Sequence, residues 1–175
     1  FLKLKKMKSA IQNTILETYT KLHDLVSSFS KEEINIVPFE ESWTAGQTTQ
    51  HIILACSGLT MLFAGKTEKT TREPDENVKA LDAIFLDFST KYQSPENIKP
   101  PDIEYEKGTL LASIKKIQND LFEAAETYDL TLTCLDAKIP GFEHFTIYEW
   151  LHFAIVHTKR HTHQLQSIYE YIKKQ

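Results

Sequence analysis

Glycine and proline are scarce in this chain, 5 Gly and 6 Pro among 175 residues. That scarcity speaks against collagen-like and low-complexity classes and favours long helices over many short strands. Cysteine is scarcer still. Cys56 and Cys134 lie far apart and form no C-x-x-C pair, so no disulfide framework is expected and a reducing cytoplasm is the expected setting. No apolar run approaches the roughly 18 residues that a membrane span needs; the richest stretch, 150–156, is short and contains His152. No apolar signal-peptide core follows the N-terminal lysines. Positive charge is not in excess either. The 24 acidic residues outnumber the 20 basic ones, so no nucleic-acid partner is expected. Lys3, Lys5, Lys6 and Lys8 make a local basic cluster, but at a terminus. The chain opens on Phe1 and Met7 is the expected native start, so residues 1–6 are read as non-native and carry no functional argument.

What is present is ordinary globular composition, 41% hydrophobic and 25% charged. The length suits one domain spanning 1–175 with a single sizeable core. Apolar residues recur at helical spacing in four long segments, and no internal repeat is evident. The first covers about 8–29, through Ile11, Ile15, Leu22 and Val26. A connection over 30–42 follows, with a short turn expected at 31–34. The second helix is expected from Thr44 to about Ala64: Thr44 and Gln47 have capping-box spacing, and Trp43 precedes them as a candidate staple. Residues 65–104 form a long proline-containing crossover with a short helix expected inside 78–88. The third helix covers about 105–128 on a stripe of Leu110, Ile114, Ile117, Leu121, Ala125 and Tyr128. Leu130 and Leu132 alternate with Thr131 and Thr133 as an extended piece, and Pro140-Gly141 reads as a turn. The fourth helix opens on a second capping-box pair, Thr146 and Glu149, and reaches about Ile172. The expected fold is an all-α four-helix bundle with a long crossover between helices 2 and 3.

Helical geometry sorts the seven histidines. On the fourth helix, Trp150, Phe153, His157, His161, Gln164 and Ile168 share the apolar face, and two histidines four residues apart can converge on one ion. His152 and His163 fall on the opposite face, about 16 Å apart along the axis, and are expected at the surface or periphery. His144 falls in a loop, and His23 reads as a partly buried packing residue. On the second helix, Thr44, Gln47, His51, Ala55, Gly58 and Leu62 form the expected inward stripe, with small residues beside His51 leaving room for a ligand. Three inward histidines on two helices make a candidate site with open coordination positions, the mark of a catalytic rather than a structural ion. The bland alternative is three hydrogen-bonded core histidines.

Two motifs extend this reading. Trp43 and His51 within E-S-W-T-A-G-Q-T-T-Q-H-I, and His157-T-K-R-His161-T-H-Gln164-Leu165, resemble the second-helix and fourth-helix motifs of the DinB-like (DNA-damage-inducible) superfamily. The resemblance runs from about residue 8 over nearly all of the chain. It implies an up-down-down-up bundle with a divalent metal, commonly zinc or nickel, on His51, His157 and His161. Relatives in that superfamily include bacillithiol S-transferases, mycothiol-dependent maleylpyruvate isomerases and metal-dependent hydrolases, and homodimers are implied. The family name does not imply DNA binding. Where the family often has a small residue two positions after the last ligand, this chain has His163. On the outward face it is expected to alter a helix contact or an interface, not the metal.

A divalent ion on three neutral imidazoles keeps its charge, so it can stabilise a thiolate, polarise a carbonyl or acidify a water. Hydrolysis also wants a general base, and no acid on either inward stripe offers itself. Gln47 and Gln164 stand there instead, as candidates to orient a histidine or bind substrate. Cys56 is turned roughly 140° from His51 and reads as packing, as do Tyr148, Tyr169 and Tyr171. The expected function is therefore a metal-dependent transferase joining a low-molecular-weight thiol to a small electrophile. A metal-dependent hydrolase is the alternative, and a non-enzymatic protein with a structural or vestigial site stays open.

Overall fold

The computed structural model describes residues 2–175. Phe1, and the side chain of Lys3 with its place in the basic cluster, lie outside the described residues. The chain is mostly helical with one small two-stranded sheet. No helix is long and apolar enough to cross a membrane.

Helix α1 spans Leu2–Ser28, already formed before residue 8 where periodicity alone placed its start. Lysine and leucine are both good helix formers. Its buried residues Ile11, Ile15, Leu22 and Val26 pack on the later helices α5 (Lys107–Thr127) and α6 (Ile147–Lys173). Between α1 and α2 lies one 3₁₀ turn at Glu33–Asn35.

Helix α2 spans Ala45–Cys56 and opens on the expected capping box. The Gln47 amide N–H donates to Thr44 Oγ1 at 3.0 Å, and the Thr44 N–H donates to Gln47 Oε1 at 2.9 Å. The helix does not continue to residue 64. It stops at Ser57-Gly58 and resumes as the short α3, Leu59–Phe63. Gly58 has no side chain to favour helical backbone, and the chain breaks there. The buried face is also rotated from the expected stripe. Ala45, Thr48, Ile52 and Cys56 are buried, Gln47 and Ala55 are half-buried, and Gly58 is exposed. With α5 and α6 both against it, α2 buries a wide arc, and His51 stands on one edge of that arc. The room expected at Gly58 is open solvent beyond the helix end. Near the start of α2, Gly46 lets Tyr105 approach: a Cβ there would stand 2.9 Å from the tyrosine ring.

The crossover carries β1 (Thr67–Lys69) and the short α4 (Val78–Phe85) that lies along α6. β1 pairs antiparallel with β2 (Leu132–Cys134), Thr67 opposite Cys134. The extended piece was legible from its alternating leucines and threonines; its partner β1, all polar, was not. Gly141 takes φ 86° in the turn before α6, a conformation open to glycine at little cost.

A buried ion pair pins the crossover to the start of α6. Arg72 forks onto Glu149, Nη1 to Oε1 and Nη2 to Oε2, each at 2.7 Å. Glu149 also accepts the N–H groups of Asn77 at 2.8 Å and Thr146 at 2.9 Å. The same glutamate completes the second capping box and is fully buried. Further along, Arg160 donates to the carbonyls of Asp87 (2.8 Å) and Thr90 and stands 5.1 Å over the Tyr92 ring.

Candidate metal centre

The three histidines meet between α2, α6 and the end of the crossover. His51 lies two turns into α2, so the Thr44 cap sets its position; His157 and His161 lie one turn apart on α6. One ring nitrogen of each falls within 4.8 Å of the other two. His51 Nε2 and His157 Nε2 are 3.1 Å apart, and the His161 ring centre is 4.5 Å from that of His51 and 4.6 Å from that of His157. Nitrogens of a tetrahedral zinc shell at about 2.0–2.1 Å stand roughly 3.3 Å from one another; the His51–His157 pair at 3.1 Å matches that spacing, and the His161 nitrogen lies within 4.8 Å of both.

The outer ring nitrogens tell the same story. His51 Nδ1 is 2.8 Å from the Ile98 carbonyl oxygen, and His161 Nδ1 is 2.9 Å from Gln164 Oε1. Carbonyl oxygens only accept, so both protons sit on Nδ1 and both Nε2 atoms keep their lone pairs, that of His51 facing His157 Nε2 at 3.1 Å. His157 is held differently. Its Nδ1 is buried with no hydrogen-bond partner, and the rings of Phe153 and Phe85 pack on it at 5.3 and 5.8 Å. Trp43 covers His51 at 5.2 Å, a contact that spacing alone had read as a staple.

The environment keeps the imidazoles neutral. Burial lowers all three, partly offset at His51 by the Ile98 hydrogen bond. His157 falls well below the usual histidine value, through burial and then its two histidine neighbours. Burial and then His51 push His161 down to about 3. Neutral imidazole is the ligand form. His51 and His157 are 3% and 4% exposed, while His161 is half-buried.

The other sequence candidates are placed as follows. Gln164 touches His161. Gln47 does not reach a histidine: its oxygen is taken by the cap and its Nε2 donates to Asp102 Oδ1 at 3.3 Å. Among the described residues no carboxylate or thiol joins the histidine group. Cys56 and Cys134 are buried and unpaired, and burial pushes their thiols up to about 11 and about 12. His152 pairs with Asp82 at 2.7 Å, and exposed His163 stacks on Phe88 with ring centres 4.2 Å apart. A surface cleft of about 300 Å³ lined by Thr60, Lys116, Glu123 and Tyr128 shares no residue with the histidine group. The Ile98 carbonyl was missed by sequence reasoning, and a backbone acceptor leaves no residue-type signal to find.

Fold and histidine cluster agree with what the family comparison finds. The DinB superfamily profile matches residues 14–165, and the chain belongs to that superfamily. It is also similar to the uncharacterized protein YuaE of Bacillus subtilis (strain 168), 23% identical over 171 residues that cover 91% of this chain and 94% of that protein. No solved structure gives a significant match.

Proposed function

We propose that this chain is a metal-dependent enzyme that holds zinc or nickel on His51, His157 and His161 and joins a low-molecular-weight thiol to a small electrophile. The observation that carries the metal is the pair of Nδ1 hydrogen bonds to carbonyl oxygens, which turns two Nε2 lone pairs toward the third imidazole. A divalent ion there supplies a positive charge, undiminished by its neutral donors, that stabilises a thiolate or polarises a carbonyl. The chain's own contribution is to hold the three rings neutral and to wall them with Trp43, Phe85 and Phe153, which keeps water from two sides. Thiol chemistry is favoured because, among the described residues, no carboxylate joins the histidine group where it could serve hydrolysis as a base. The packing of α1 and α2 against both α5 and α6 supports the up-down-down-up four-helix bundle as the arrangement. A cytoplasmic setting is supported by the two unpaired cysteines, and a homodimer is proposed from the superfamily.

Elemental analysis tests the first step. About one zinc or nickel per chain is expected in the wild type and in His163→Ala, and none in His157→Ala; equal metal in both variants sinks the site. Conjugation assays with small thiols and activated electrophiles test the second. Ester cleavage that ignores added thiol would replace the transferase reading with the hydrolase one. A metal bound without either activity would leave a structural site.

A further inference from the structure

Three means hold the three histidines. His51 leans on a backbone carbonyl, His157 is wedged between aromatic rings, and His161 depends on one side chain. Gln164 is three residues beyond His161 on α6, and its Oε1 is 2.9 Å from His161 Nδ1. The nearby Arg160 does not compete for that nitrogen, because its guanidinium is spent on the Asp87 and Thr90 carbonyls and the Tyr92 ring.

We propose that Gln164 is a positioning residue that selects the Nδ1–H tautomer of His161 and so presents Nε2 to the ion. The proposal rests on the metal reading above. Free neutral imidazole favours the opposite tautomer, with the proton on Nε2, where it would block a metal. An amide oxygen accepts and cannot donate, so its hydrogen bond reverses that preference. Such outer partners typically change metal affinity by about 10–100-fold. His161 is the half-buried member of the three. Its ring contacts are with the other two histidines, not with phenylalanines as at His157, so its orientation depends most on this bond. Gln164 is itself half-buried, so replacing it leaves the core intact.

Gln164→Leu removes the acceptor at similar volume, and Gln164→Glu restores an acceptor with charge. Long-range ¹⁵N NMR on metal-free protein reads the tautomer directly. His161 is expected as Nδ1–H in the wild type and Gln164→Glu, and as Nε2–H in Gln164→Leu. Competition with a chromophoric chelator reads zinc. Gln164→Leu is expected to bind about 10–100-fold more weakly, and Gln164→Glu at least as tightly as the wild type. The cobalt(II) absorption bands of Gln164→Glu are expected to shift from those of the wild type, since a carboxylate raises the ligand's basicity. A Gln164→Leu protein with the wild-type tautomer and unchanged zinc affinity overturns the proposal. A tautomer change as expected, in a wild type that takes up neither zinc nor cobalt, would remove the metal reading and leave the hold of Gln164 on His161 standing.

Discussion

Replacing Arg72 by methionine removes the guanidinium but keeps most of the apolar stem; it strands the buried Glu149 charge and also deletes the bonds to the Glu73 and His144 carbonyls and the 3.2 Å ion pair with exposed Glu143. In the wild type the pair is 13% exposed on the arginine side and 0% on the glutamate side. The variant leaves the Glu149 carboxylate buried with two of its four donors, the Asn77 and Thr146 N–H groups. Breaking a buried pair by deleting one partner costs about 3–5 kcal/mol. With two donors remaining, the lower end applies, about 3 kcal/mol. For a chain of this length each kcal/mol moves Tm by about 2–4 °C, so Arg72→Met should melt about 6–12 °C lower. Adding Glu149→Gln removes the stranded charge while keeping an acceptor, so the double variant should be about 1–2 kcal/mol more stable than Arg72→Met alone. Urea titrations of the four proteins, with equal m-values, give the coupling. A loss under about 1 kcal/mol for Arg72→Met, or simple additivity of the two changes, would mean that this fork behaves as a surface pair.

Metal-free protein should lose stability on mild acidification. Unfolded histidines bind a proton near pH 6.5, whereas His161 resists down to about 3 and His157 is also depressed. Stability is therefore full above about pH 6.5 and falls as pH drops toward the folded values, by about 1.4 kcal/mol per unit for each histidine kept neutral. At pH 5 His161 alone would cost about 2 kcal/mol, with His157 adding in the same direction, measurable as a urea midpoint shift that is reduced in a His157→Leu/His161→Leu variant; the same slope in that variant would refute the cause. Thr44→Ala should cost about 1 kcal/mol by chemical denaturation, because it deletes the acceptor for the Gln47 N–H at the start of the helix that carries His51. No change would mean that the cap is redundant.

Both capping boxes were readable because a cap is local: Thr44 with Gln47, and Thr146 with Glu149, need only a spacing of three. The histidine faces of α6 were readable for the same reason, since nine residues of continuous helix place Phe153, His157 and His161 on one side. The phase of α2 was misjudged because the stripe was drawn through His51, an edge residue, and because the break at Ser57-Gly58 removed the last turns from the pattern. Glu149 shows the other limit. Its local role as a cap was visible, but its partner Arg72 lies 77 residues away in a segment without periodicity. The Gln47 side chain, read as facing the site, is consumed by its own cap and by Asp102. Within a helix turn residue type and spacing suffice, whereas across the crossover only the folded path decides who meets whom.

The Ile98 carbonyl that steadies His51 belongs to the main chain, and this gives the two accepting arms unequal exposure to mutation. Any residue at position 98 supplies the same oxygen, so point substitutions there leave the acceptor in place, and only an insertion or deletion that re-routes the crossover can take it away. The acceptor for His161 is a glutamine side chain, and a single nucleotide change turns its codon into one for leucine or glutamate. Among relatives that keep all three histidines, ligand strength would then drift by codon changes on the α6 side and by loop length on the α2 side.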